Sequence, residues 1–114
     1  RFVASEESSV HPLFKQAVVQ AAEGDTRLMM KALTPVRLLR NAFADAVQAA
    51  EAGGATADAL KALLGKGRAK KGMYEGLLQE GELEIGQVSA LLHEVLPANA
   101  IVHHMWQDCC ATIQ

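Results

Sequence analysis

Aromatic side chains are scarce in this sequence of 114 residues, at 4% of the total. Binding of single-stranded nucleic acid relies on rows of stacking rings, and so few rings cannot supply them. Excess charge of one sign is also missing. Eleven Lys and Arg stand against 13 Asp and Glu, a formal net charge of -2, so no general attraction to nucleic acid or to anionic lipid follows. No uninterrupted apolar run approaches the ~20 residues that a membrane span needs. The two cysteines, Cys109 and Cys110, are adjacent. On a helix, neighbours diverge by about 100°, which disfavours both joint chelation and a disulfide. Near the start, Glu6-Glu7 interrupts any apolar stretch of the kind an export signal requires. With so few thiols, a reducing cytoplasm is the expected compartment.

What is present suits one domain with a modest core: 50% hydrophobic and 21% charged residues. The chain opens on Arg1-Phe2-Val3-Ala4, which reads as the tail of a buried strand. A lone strand leaves its backbone groups unpaired, and there is no initiator Met, so the expectation is a cut end.

Six helical segments are predicted beyond it. His11-Pro12 opens the first, with Pro where its missing N–H costs little, and Gly24 stops it. Thr26 to Lys31 fits either a strand or a helical turn. Thr34-Pro35 opens the second, with Thr34 as N-cap and Val36, Leu39, Phe43, Val47 and Ala50 as its apolar stripe. Thr56 caps a third, buried through Leu60, Leu63 and Leu64 and closed by Gly65. Arg68 to Tyr74 and Gln87 to His93 are short helices. Pro97 opens the last, whose face is Ile101, Met105, Cys109 and Thr112, widened by Val102, Trp106 and Ile113.

Among chemistry-bearing groups, Lys66, Arg68, Lys70 and Lys71 are spaced by Gly65, Gly67 and Gly72. Glycines beside cations can cradle a phosphate, but no Gly-Lys-Ser/Thr ending makes a P-loop. Glu75, Glu80, Glu82 and Glu84 follow, so a solvated surface of mixed charge is the favoured reading. His104 and Asp108 lie one helical turn apart and could share an ion, with His103 and the cysteines nearby. No second cluster completes four ligands, and no metal site is expected. His11 reads as a helix-start residue and His93 as a cation near a helix C-terminus. In Glu84-Ile85-Gly86-Gln87, Gly86 permits close backbone approach to a flat or anionic ligand, and Gln87 offers a donor and an acceptor.

The order of several stretches carries a resemblance. Arg1 to Ser8 followed by His11-Pro12 and Lys15-Gln16-Ala17, then Gly24-Asp25-Thr26, Leu38-Leu39-Arg40-Asn41-Ala42, Gly67-Arg68, Gly72-Met73-Tyr74-Glu75-Gly76 and Gly81 to Gln87, resembles the nitronate monooxygenase-like flavoproteins. These were formerly called 2-nitropropane dioxygenases. They are similar to the flavin-dependent enoyl-acyl-carrier-protein reductases and to some NADH:quinone reductases.

The resemblance implies a mainly α segment of a (β/α)₈ TIM-barrel flavoprotein that binds FMN. Residues 1-10 would end the last barrel strand and its loop, 11-96 would form a helical lid, and 97-114 would return as a barrel helix. Phe2, Val3, Phe43 and Trp106 would pack against the missing N-terminal barrel. The family's catalytic His and most FMN-phosphate contacts would lie upstream of Arg1, leaving no catalytic residue here. Glu84, Ile85, Gly86 and Gln87 match a stretch that approaches the flavin, although some relatives place Ser at Glu84 and Met at Gln87. The first expected activity is oxidation of alkyl nitronates with O₂. Quinone or enoyl-thioester reduction on the same scaffold is the alternative, and a non-enzymatic helical interaction domain is a third reading. The substrate would be a small molecule, with neither nucleic acid nor membrane as a partner, and the family admits a homodimer.

Overall fold

The structure is a computed structural model and describes residues 1–113. Its elements run α1 (Pro12–Gln20), β1 (Thr26–Met29), β2 (Val36–Leu39), α2 (Ala42–Ala52), α3 (Ala57–Leu64), α4 (Arg68–Met73) and α5 (Ala98–Ile113), with short 3-10 turns at Phe2–Ala4 and Gln87–Leu91.

The local signals explain most of these boundaries. At α1, the His11 ring accepts from the Leu13 N–H at 3.1 Å while Pro12 occupies the first helical position. Thr56 Oγ1 accepts from Ala59 N–H at 3.2 Å to start α3, and Gly65 ends it at φ +66°.

Two expectations are corrected. Val36–Leu39 is a strand, paired antiparallel to β1 from Thr26↔Leu39 to Met29↔Val36. The helix begins only at Ala42, where Asn41 Oδ1 accepts from Ala44 N–H at 2.8 Å. Thr34-Pro35 mimicked a helix start, but β2 can bond to a neighbour on each edge, which a helix there could not. Phe2–Ala4 is a 3-10 turn and not the end of a strand. Its neighbour Ser5 makes an isolated parallel bridge to Leu96, so the one strand-like pairing here lies just past the stretch expected to be a strand.

Two apolar clusters form the core. One gathers Ala4, Val10, Phe14, Val18, Ala21, Leu39 and Leu83. The other gathers Met29, Met30, Leu38, Phe43, Ala44, Val47 and Leu60. Leu38 and Leu39 fall in different clusters because successive strand side chains point to opposite faces. Phe43 is buried in the second cluster, and Val3 packs partly buried against the first. Phe43 is therefore not free to meet a barrel, contrary to expectation, whereas Val3 keeps part of its surface accessible. Phe2 and Trp106 remain exposed, Trp106 at 65%. No residue of α5 is fully buried: Ile101 is half-buried, while Val102, Met105, Trp106 and Ile113 are exposed. No helix described is long and apolar enough to cross a membrane.

Candidate functional site

The segment Glu82–Ile85 lies along the edge of β2 that β1 leaves open. Leu39 N–H donates to Leu83 O at 2.9 Å, Ile85 N–H donates to Arg37 O at 3.3 Å, and Leu38 bridges Glu84 in antiparallel sense. Leu83 is buried against α1, whereas Glu84 faces out. Gly86 then caps the 3-10 turn Gln87–Leu91, which packs on α1. Glu84, Gly86 and Gln87 are exposed and Ile85 is half-buried, so the predicted site residues form one accessible ledge. A side chain at Gly86 would meet no atom within 4 Å.

The ledge is held by Asn41 and Arg68, in a supporting role that their sequence context does not reveal. Asn41 Nδ2 donates to Leu78 O and to Gly81 O, each at 2.7 Å. Arg68 donates from Nε to Leu64 O (3.1 Å), from one terminal nitrogen to Glu80 O (3.0 Å) and from the other to Leu63 O (3.1 Å). Its guanidinium lies 4.7 Å from the Phe43 ring centroid, a stacking that suits its planar charge. Glu82 N–H donates to Arg68 O at 3.0 Å. A Cβ on Gly81 would collide with the Cα of Gly72, so the backbones of α4 and the turn before Glu82 cross in direct contact. An Asn after an apolar run and before Ala-Phe-Ala was the legible clue to the α2 cap. The long-range bonds left no sequence signal.

Glu82 is only 6% exposed. Burial, a hydrogen bond with Glu84 and the charge of Glu84 push its carboxyl up to about 7, while the Arg68 charge pulls it down. One further buried polar atom, Ser89 Oγ in the 3-10 turn, has no hydrogen-bond partner.

The other candidates are not assembled. Among the described residues, no three His, Cys, Asp or Glu come together to hold a metal, and His103, His104, Asp108 and Cys109 are exposed. Both thiols are free. His93, His104 and Asp108 line a cleft of about 200 Å³ with Arg1, Leu92 and Met105, between α5 and the segment before it.

This arrangement of strands, helices and ledge is found in solved structures. FabK from Thermotoga maritima superimposes with a TM-score of 0.89 at 32% sequence identity, over 99% of this chain and 36% of that one. The chain has the fold of a FabK segment. A point mutant of the same FabK gives a TM-score of 0.79 at 31% identity, over 99% of this chain and 33% of that one. The chain thus spans about a third of the length of the FabK structures it matches. No family model matches the chain.

Proposed function

We propose that this chain is the lid and terminal-helix portion of an FMN-dependent oxidoreductase of the 2-nitropropane dioxygenase-like family, with residues 1-10, 11-96 and 97-114 divided as the resemblance implies. The observation that carries this is the FabK match across nearly the whole chain, together with the collinear sequence stretches. FabK is an enoyl-acyl-carrier-protein reductase of that family. Reduction of an enoyl thioester is therefore preferred over oxidation of an alkyl nitronate, which rests on the sequence resemblance alone. An independent interaction domain is disfavoured by the uncovered faces of Trp106 and α5, which suit a larger body.

The ledge fits the edge of a flat ring better than it fits a phosphate. Gly86 leaves open space, Gln87 can both donate and accept, and no cation lies between Glu82 and Gln87. We assign Glu84, Ile85, Gly86 and Gln87 to contact with the flavin and leave its phosphate to residues outside this chain. The flavin, when bound, would supply the electron transfer. This chain's own residues would border the ring, exclude water and shape substrate access. Glu84 would disfavour negative charge building up on a neighbouring ring. A small-molecule substrate, the barrel as intramolecular partner and a cytoplasmic location complete the proposal.

The test is the visible spectrum of the full-length protein, followed by rapid mixing with NAD(P)H and, separately, with a nitronate. Flavin bands bleached by NAD(P)H and restored by an enoyl thioester are expected. Bleaching by nitronate alone would favour the second activity, and a colourless protein would end the flavin reading.

A further inference from the structure

Glu82 and Glu84 are two residues apart in the segment that pairs with the open edge of β2. In an extended segment, side chains two apart point to the same side. Leu38 lies opposite Glu84, so both acids share the face of Leu38, and Leu83 takes the other face with Leu39. Leu38 belongs to the apolar cluster that contains Phe43. On this face Glu82 is only 6% exposed, while Glu84 stands in solvent at the start of the ledge.

The two carboxyls are hydrogen-bonded to each other. Ionised carboxyls only accept, so a bond between them requires that one of the two carries a proton. Burial decides which one. The enclosed group loses more hydration when it ionises, so the proton goes to Glu82 and the negative charge to Glu84. Nearby cations do not reverse this. Arg68 in α4 draws the Glu82 carboxyl down, but its guanidinium is committed to the carbonyls of Leu63, Leu64 and Glu80. Arg40, just past β2, is exposed and held by Asp45 at 3.3 Å.

We propose that Glu82 is a positioning residue: it shares one proton with Glu84, orients Glu84 at the ledge and holds the pair at a single negative charge. An ionised Glu82 would repel Glu84, break the bond between them and place a second charge behind the ledge. This rests on the flavin-contact reading of Glu84 and adds a proton that governs the charge the ring meets.

The first test uses infrared difference spectra of the full-length protein and does not depend on flavin contact. At about pH 6, where ordinary carboxyls are ionised, the wild type should show the carbonyl stretch of a protonated carboxyl that Glu82→Gln lacks. That band should fade as pH rises through about 7. In Glu84→Gln it should fade at lower pH, because the repelling charge is gone. The second test is potentiometric titration of the bound flavin from about pH 6 to about pH 8.5. Over that range the second charge should lower the affinity for the reduced ring, relative to the oxidised ring, by about tenfold more in wild type than in Glu82→Gln. The Gln amide can still donate to Glu84, so this variant should keep the wild-type potential at the acid end.

Absence of the carboxyl band from wild type, or a band that titrates identically in Glu84→Gln, would overturn the shared proton. A potential that differs between wild type and Glu82→Gln at the acid end would overturn the positioning role. If the band behaves as expected but the extra fall in potential does not occur, the proton pair stands and the contact of Glu84 with the flavin falls.

Discussion

The side-chain amide of Asn41 donates to the Gly81 carbonyl at 2.7 Å while its oxygen caps α2 through Ala44 N–H. One buried side chain therefore fixes both the start of a helix and the turn that launches the ledge.

Asn41→Ala removes the cap and leaves the carbonyls of Leu78 and Gly81 without their donor. Loss of a cap costs about 1 kcal/mol, and each buried group left unpaired costs about 1–3 kcal/mol. A destabilisation of roughly 3 kcal/mol is expected in urea unfolding of the full-length protein. Asn41→Asp should be little better, since a carboxylate keeps the cap but cannot donate to the carbonyls. An unchanged midpoint for either variant would contradict this account.

Gly81→Ala should be among the most damaging single-methyl additions in the chain. The new Cβ would land on Gly72 backbone, which cannot rotate away as a flexible side chain could. Overpacking of this kind costs about 1–3 kcal/mol or more. Gly86→Ala, with open space and φ −82°, should leave the melting temperature within error. Comparing the two melts isolates the crossing of α4 and the turn.

Gly86→Val separates fold from function. With no atom within 4 Å of its Cβ, the substitution should be silent in stability. If the ledge borders the flavin, the branched side chain should weaken flavin affinity by about tenfold, the order of 1.4 kcal/mol, measured by fluorescence titration. Unaltered affinity would remove Gly86 from the site.

Glu82 gives the fold a pH dependence of defined sign. Its ordinary value is 4.5 and its folded value is about 7, so the folded state binds more protons between these limits. Stability from this group is then fully present below pH 4.5 and is lost as pH rises through about 7. The loss between pH 5 and 8 should be on the order of 2 kcal/mol. Glu82→Gln should flatten this decline in thermal melts across the range. A decline that persists in Glu82→Gln would assign it to other groups.

Much of the chain's punctuation was legible in the sequence. His11-Pro12, Thr56 and Gly65 each act within a few residues, and each sits where its chemistry predicts. Val36 to Leu39 reads as helix in the sequence because Val36, Leu39, Phe43 and Val47 satisfy helical spacing and Thr34-Pro35 imitates a cap, yet it is a strand. The deciding factor, bonding on both edges of β2, lies in β1 and in residues 83–85 and has no local trace. The ledge itself was picked out from Gly86 and Gln87. Its supports, Asn41 and Arg68, act across sequence separations of 40 residues for Asn41–Gly81 and 12 for Arg68–Glu80, beyond the reach of any spacing rule.

Because Leu38 and Leu39 belong to different apolar clusters, β2 is a wall common to both. Neither cluster can open fully while that wall stands, and neither survives its removal. The amides of Leu39 and Ile85, one from each side of the same strand pairing, should therefore share a single opening free energy in hydrogen exchange. Exchange at the ledge would then report the unfolding of both halves at once, and a perturbation felt on one side of β2 would reach the other through that shared opening.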